Sequence, residues 1–118
     1  MKLALVFPGQ GSQSVGMMQG FAENRAVRDT FSEASDALGQ DLWQLVTAGP
    51  AEELNATVNT QPVMLTAAYA TYRAWREAGG PAPVVVAGHS LGEYTALVVA
   101  GVLSFADAVP LVRFRAQA

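Results

Sequence analysis

The chain has 118 residues, 51% of them hydrophobic and only 14% charged, a composition that excludes a disordered polymer and predicts a single domain with a sizeable core. Seven basic against ten acidic side chains give a net charge of -3, and Lys2 is the sole lysine, so no basic stripe exists to neutralise a nucleic-acid backbone. With no cysteine and one histidine, disulfides, thiolate metal centres and imidazole clusters are excluded too, and no metal site is expected.

Met1-Lys2 followed by Leu3 to Phe7 imitates the start of an export signal, but Pro8 stops the apolar run short of the roughly 7 to 15 residues such a signal needs. The same run, closed by Pro8-Gly9, predicts a strand buried on both faces, as in a parallel sheet. Gly9 to Ser14 is then a small polar loop leading to a helical turn near Val15 to Phe21. Val27, Phe31, Ala34 and Leu38 recur at helical spacing and Gly39 stands at the C-cap position, which predicts an amphipathic helix from Ala26 to Leu38. Asp41 to Val46 makes a short helix ending near Gly49-Pro50, and Ala51 to Leu54 adds a turn. Asn55-Ala56-Thr57 matches a glycosylation sequon, a chance match in a chain with neither export signal nor cysteine.

Thr60-Gln61-Pro62 opens the strongest helix, because proline suits a first turn and Leu65, Ala68, Tyr72 and Trp75 fall on one face. It ends at Gly79-Gly80-Pro81. Val84 to Ala87, β-branched and bounded by Pro83 and Gly88, predicts a second buried strand, and a helix from Leu91 to Ala100 follows at once. Ser104 and Asp107 form a loose capping box for a last helix that runs to the end of the chain, with a kink expected at Pro110. The longest strongly apolar stretch, Ala96 to Leu103, is less than half of the roughly 20 residues of a membrane span, so a soluble, cytoplasmic protein is expected. Two parallel strands do not finish a doubly wound domain, and the last helix has no cap after Ala118. The expected fold class is therefore α/β with a parallel sheet, residues 1–118 being the amino-terminal part of a larger protein with no second domain inside the chain.

Gly88-His89-Ser90-Leu91-Gly92 is a G-x-S-x-G motif with a strand before it and a helix after it, the setting of a nucleophile elbow. In such an elbow the serine sits at a strained strand-to-helix turn and its hydroxyl projects into open space near the positive helix end. The alternative is a plain turn in which Ser90 caps the helix. A nucleophile needs donors for the developing oxyanion: the Leu91 N–H comes with the elbow, and the Gln10 N–H in the loop after the first strand is the natural second. A dinucleotide fingerprint in that loop would need glycine where Ser14 stands. His89 adjoins Ser90 and points away from it, which makes it a histidine hydrogen-bonded at the pocket edge, so a base must come from residues outside this chain.

Ala108, Leu111, Val112 and Arg115 share one helical stripe, which sets the Arg115 guanidinium among apolar neighbours while Arg113 points elsewhere. Composition alone favours a snorkelling arginine or an internal salt bridge; the functional alternative is a fork that binds a substrate carboxylate. Gln61 either caps its helix or faces the pocket. Trp43, Trp75, Tyr69, Tyr72 and Met17-Met18 read as packing.

Phe7-Pro8-Gly9-Gln10-Gly11-Ser12-Gln13, Thr60-Gln61-Pro62, Gly88 to Tyr94 and the helix carrying Arg115 together resemble, over the whole chain, the amino-terminal part of the bacterial malonyl-CoA:acyl carrier protein transacylases, and less closely the acyltransferase domains of polyketide and fatty acid synthases. The resemblance implies a hydrolase-like α/β core with an inserted ferredoxin-like subdomain beyond this chain. It implies Ser90 as the acyl-accepting nucleophile, the N–H groups of Gln10 and Leu91 as the oxyanion hole, Arg115 against the malonyl carboxylate, and His89 near the acyl group. The catalytic histidine falls beyond residue 118, on the remainder of the same polypeptide. Malonyl-CoA is the implied substrate and acyl carrier protein the partner, in fatty acid biosynthesis, with no bound cofactor, nucleic acid or membrane. An esterase or thioesterase using the same elbow, and an inactive piece held in a complex, are the other readings.

Overall fold

β1 (Ala4–Phe7) and β2 (Val85–Gly88) pair in parallel, Ala4 opposite Val85 and Phe7 opposite Gly88, in a computed structural model that describes residues 3–11 and 13–117. Met1-Lys2, Ser12 and Ala118, which belong to the chain start, the loop motif and the last helix read from the sequence, lie outside the described residues. Six helices accompany the strands among the described residues: α1 (Arg25–Leu38), α2 (Leu42–Ala48), α3 (Ala51–Leu54), α4 (Thr57–Glu77), α5 (Leu91–Val99) and α6 (Phe105–Gln117), with a 3-10 turn at Gln19–Phe21. The result is a mixed α/β fold with a small parallel sheet.

Both strands fall within one residue of their expected positions, but neither is buried on both faces. Phe7 is buried, whereas Val6 is 77% exposed and Val85 57%. Side chains alternate across a strand, so Leu5, Phe7 and Val86 share the partly covered face while Ala4, Val6 and Val85 share a face that no described element covers. The apolar runs give the strands their β preference, yet what covers them is a property of the neighbours.

The core is mostly helical and joins α1, α2, α4 and α6. Val27, Phe31 and Ala34 line the inner face of α1, which Asn24 caps by accepting from Val27 N at 3.1 Å and which ends on Gly39 at φ 69°. That φ lies in the left-handed region, where glycine carries no Cβ penalty. Phe31 is fully buried with its ring edge-on to Trp43, a placement worth roughly 2 to 3 kcal/mol of transfer energy. Phe105 stacks on Tyr69 at 4.8 Å and ties α6 to α4.

Two helices contain prolines, and one of them departs from expectation. α4 begins at Thr57, one turn before Thr60-Gln61-Pro62, so Pro62 lies inside the helix and is buried. The helix tolerates it because the Val58 carbonyl, robbed of its intrahelical donor by the proline, accepts from Arg113 Nε at 3.2 Å. The buried side of α4 holds Val63, Leu65, Ala67, Ala70 and Ala74; of the expected face only Leu65 is fully buried, and Trp75 is exposed. Ala68, Tyr72 and Trp75 instead join Met17, Met18 and β1 around an open apolar cavity of about 520 Å³. α6, expected to run to the chain end, continues through Pro110 as far as Gln117. Pro110 and Ala106, whose carbonyl it leaves without a helical donor, are both exposed, so water can satisfy that group.

Candidate active site

The parallel register sets the carboxyl ends of β1 and β2 side by side, so Pro8-Gly9-Gln10 and His89-Ser90-Leu91 leave the sheet as neighbours. Three glycines allow this approach. A β-carbon on Gly92 would lie 2.1 Å from the Phe7 carbonyl oxygen, one on Gly88 would lie 1.9 Å from the Gly92 carbonyl oxygen, and one on Gly9 would lie 2.9 Å from the His89 carbonyl oxygen. Each would strike backbone, which cannot move aside as a flexible side chain can.

Ser90 is the one non-glycine residue at positive φ among the described residues, with φ 55° and ψ -112°. A strained backbone of this kind persists only where its surroundings enforce it. The capping alternative fails on geometry: the Ser90 side chain accepts no bond from the first turn of α5. The Ser90 carbonyl accepts from Glu93 N at 3.0 Å and the His89 carbonyl from Gly92 N at 3.0 Å, while the Leu91 N–H, at the helix start, has no intrahelical acceptor. Ser90 Oγ is exposed and accepts from Arg115 Nη2 at 2.9 Å.

Arg115 reaches this position from α6, 25 residues along the chain from Ser90. Its Nη1 donates to Gln61 Oε1 at 2.8 Å, and its Cζ lies 5.5 Å from the centre of the Tyr94 ring. Both hydrogen bonds of the guanidinium go to neutral oxygens, so it engages no internal carboxylate among the described residues and the salt-bridge alternative does not hold there. Its setting differs from the expected apolar stripe: Ala108 and Val112 are buried, but Leu111 is 42% exposed and Arg115 sits at the stripe's edge, half-buried. Gln61 is buried and faces the site instead of capping α4.

The loop after β1 is fastened by its side chains. Gln10 Nε2 donates to Thr57 Oγ1 at 3.1 Å, Gly11 N donates to Gln13 Oε1 at 2.8 Å, and Gln13 Nε2 donates to Asn55 Oδ1 at 2.8 Å. Gly9 stands so near the elbow that Leu91 N is 3.8 Å from where its β-carbon would be. The backbone of Gly9, next in the chain to Gln10, therefore lies beside the Leu91 N–H. His89 is exposed, and its ring makes no hydrogen bond among the described residues, which corrects the expectation of a hydrogen-bonded histidine at the pocket edge.

The acyl transferase domain family matches residues 4–118. This chain belongs to that family. It is 60% identical over 117 residues to the malonyl CoA-acyl carrier protein transacylase of Escherichia coli K12, covering 98% of this chain and 38% of that relative. A crystal structure of an acyl-carrier-protein S-malonyltransferase from Burkholderia pseudomallei is 71% identical, superposes with a TM-score of 0.98 and matches 99% of this chain and 38% of its own. A malonyl-transacylase solved in complex with a type II polyketide synthase acyl-carrier protein is 54% identical with a TM-score of 0.95, again matching 99% of this chain and 38% of its own. The acyl transferase chain thus spans about 38% of the length of the curated relatives it matches.

Sequence reasoning missed the residues that hold this constellation in place. Asn55 and Thr57, dismissed as a chance sequon, anchor the Gln10 loop. Arg113, expected to point elsewhere, is half-buried and donates to the Val58 carbonyl and to the side-chain oxygens of Gln40 and Asn59. The sequence carried no signal for it while Pro62 read as a first-turn residue; only with α4 starting at Thr57 does the proline free the Val58 carbonyl for Arg113. Among the described residues no group of three or more His, Cys, Asp or Glu side chains could hold a metal ion, and no helix is long and apolar enough to cross a membrane.

Proposed function

We propose that residues 1–118 are the amino-terminal part of the hydrolase-like core of a malonyl-CoA:acyl carrier protein transacylase, whose inserted ferredoxin-like subdomain and catalytic histidine lie on the remainder of the polypeptide. The observation that carries this reading is the meeting of Ser90, strained and uncapped, with an arginine whose hydrogen bonds go only to neutral oxygens. A malonyl thioester supplies one electrophilic carbon for Ser90 and one carboxylate for Arg115, and fixing both ends orients the acyl group for attack.

Ser90 Oγ attacks the thioester carbonyl carbon while its proton passes to the histidine base. The N–H groups of Gln10 and Leu91 hold the resulting oxyanion. Collapse breaks the C–S bond, the coenzyme A thiolate leaves with the proton, and malonyl-Ser90 remains. The phosphopantetheine thiol of acyl carrier protein then gives its proton to the histidine base and attacks the ester, and Ser90 leaves and takes that proton. Gln61 steadies the Arg115 guanidinium, and His89 flanks the acyl group. No metal or bound cofactor takes part, and the reaction belongs to fatty acid synthesis in the cytoplasm.

The test is intact-mass measurement of the full-length enzyme after incubation with malonyl-CoA. One malonyl group is expected on the parent and none on Ser90→Ala with its fold retained; an adduct persisting on that variant would remove Ser90 from the mechanism. Adding acyl carrier protein should yield malonyl-carrier, whereas release of free malonate alone would make the protein a thioesterase. The isolated 118 residues, which lack the base, should turn over several orders of magnitude more slowly than the full-length enzyme.

A further inference from the structure

We propose that Arg113 is a positioning residue for acyl selection, one that locks the last turns of α6 onto the first turns of α4 and thereby holds the Arg115 guanidinium over Ser90. This rests on the malonyl-transfer reading above. Two prolines create the need and the opportunity. Pro110 deprives α6 of a backbone hydrogen bond between its well-anchored first half, where Phe105, Ala108 and Val109 are buried, and the half that carries Arg115. The second half therefore relies on tertiary contacts to fix its direction. Pro62 frees the Val58 carbonyl on α4, and Arg113 Nε occupies it at 3.2 Å. Arg113 Nη2 adds Asn59 Oδ1 at 3.2 Å and Gln40 Oε1, so one guanidinium joins α6, α4 and the turn after α1. The Gln40 amide closes the cluster by donating to Asn59 Oδ1 at 3.3 Å.

The clamp acts where small displacements matter. Arg113 and Arg115 are two residues apart, about 3 Å along the helix axis, and Gln61, the other support of Arg115, is two residues beyond Asn59 on α4. The stretch Val58 to Gln61 therefore receives both arginines of α6, one for fixation and one within reach of the reacting serine. All acceptors of Arg113 are neutral, and burial lowers its pKa from the ordinary value while leaving it charged at neutral pH. A planar fork of N–H donors serves three acceptors from one fixed geometry; an ammonium on a flexible stem keeps the charge and reproduces that geometry only in part.

The experiment compares malonyl-CoA with acetyl-CoA as acyl donors to the full-length enzyme, read as rates of acyl-Ser90 formation by intact mass, with thermal stability measured alongside. Acetyl lacks the carboxylate that Arg115 receives, so the ratio of the two rates reports the placement of Arg115 and is unaffected by the fraction of enzyme folded. Arg113→Ala should lower the malonyl-to-acetyl ratio by about 5-fold or more, since small misplacements of a positioning group carry penalties of this order. Arg113→Lys should restore it in part, and Gln40→Ala with Asn59→Ala should lower it from the other side of the clamp. An unchanged ratio in both Arg113→Ala and the double variant, with both rates falling alongside Tm, would make Arg113 a purely structural residue and overturn the proposal. A parent that takes up no malonyl group would overturn the transfer reading itself, and this inference with it.

Discussion

The elbow and the arginine end of the site are built by opposite means. Gly88 to Gly92 is assembled locally, from a strand, a strained serine and a helix contiguous in the chain, and its tolerances are set by backbone contacts that leave no room for a single β-carbon. Arg115 is delivered from 25 residues beyond Ser90 and steadied by Gln61, which lies 54 residues before it, so its position is the sum of side-chain hydrogen bonds between separate helices. The local half fails abruptly when its shape is altered. The assembled half is adjustable, which fits the acyl-selecting role proposed for it.

The largest effect expected from this contrast comes from adding one carbon to the elbow. Gly92→Ala places a methyl 2.1 Å from the Phe7 carbonyl oxygen, which forces α5 away from β1 and the Gln10 loop. Overpacking against immovable backbone should cost about 3 kcal/mol or more and reduce acylation of Ser90 by roughly 100-fold or more. Gly20→Ala, where a β-carbon meets nothing within 4 Å, is the matched control and should leave acylation near the parent level. Thermal unfolding and acyl-Ser90 formation check both, and a Gly92→Ala enzyme of parental rate would show that the elbow is as adjustable as the arginine end.

This division also explains what the sequence made legible. Element positions came from local pattern: the helix that ends on the Gly39 cap, the strand at Val85 to Gly88 and the helix that starts at Leu91 all lie within a residue or so of expectation. The elbow was readable for the same reason, since strand, motif and helix are adjacent. Exposure of Val6 and Val85 was not, because an apolar strand signals its own preference and says nothing of what lies over it. Nor was the start of α4 at Thr57: Pro62 read as a first-turn residue because the donor that makes an interior proline tolerable, Arg113, is 55 residues away from the carbonyl it serves. Arg115 could be singled out as an arginine with apolar neighbours, but whether its partner is a carboxylate or a serine depends on which helix it faces.

Arg115 itself gives the intermediate effect and tests whether this end governs selection. If Arg115 receives the malonyl carboxylate as proposed, removing the fork deletes a charge-assisted contact, a loss of about 2 to 5 kcal/mol. Arg115→Ala should lower kcat/KM for malonyl-CoA by about 30-fold or more, while acetyl transfer, slow in the parent, holds level or improves. Arg115→Lys should recover only part of the malonyl rate, because it keeps the charge and loses the fork. Equal losses for both acyl donors, accompanied by a lower Tm, would instead assign Arg115 a structural role.

The smallest effect is expected where the two halves touch, at the amino-terminal turn of α4. Thr57 accepts from Gln10 Nε2, and the next two residues, Val58 and Asn59, accept from Arg113, so one helix end supports both the Gln10 loop and the contacts of Arg113. Thr57→Val keeps the side-chain shape and removes only the hydroxyl. The lost hydrogen bond is solvent-exposed, worth about 0.5 to 1.5 kcal/mol, and frees the Gln10 loop to move relative to Leu91. Because the oxyanion develops on the carbonyl that every acyl donor shares, acylation by malonyl-CoA and by acetyl-CoA should slow together, by about 2- to 10-fold, with their ratio unchanged. Gln13→Ala, which releases both Gly11 N and Asn55, should reproduce that uniform loss from the other end of the loop. If Thr57→Val shifted the ratio instead, α4 would be transmitting strain from the loop to the arginines, and rate and selectivity would not be separable in this site.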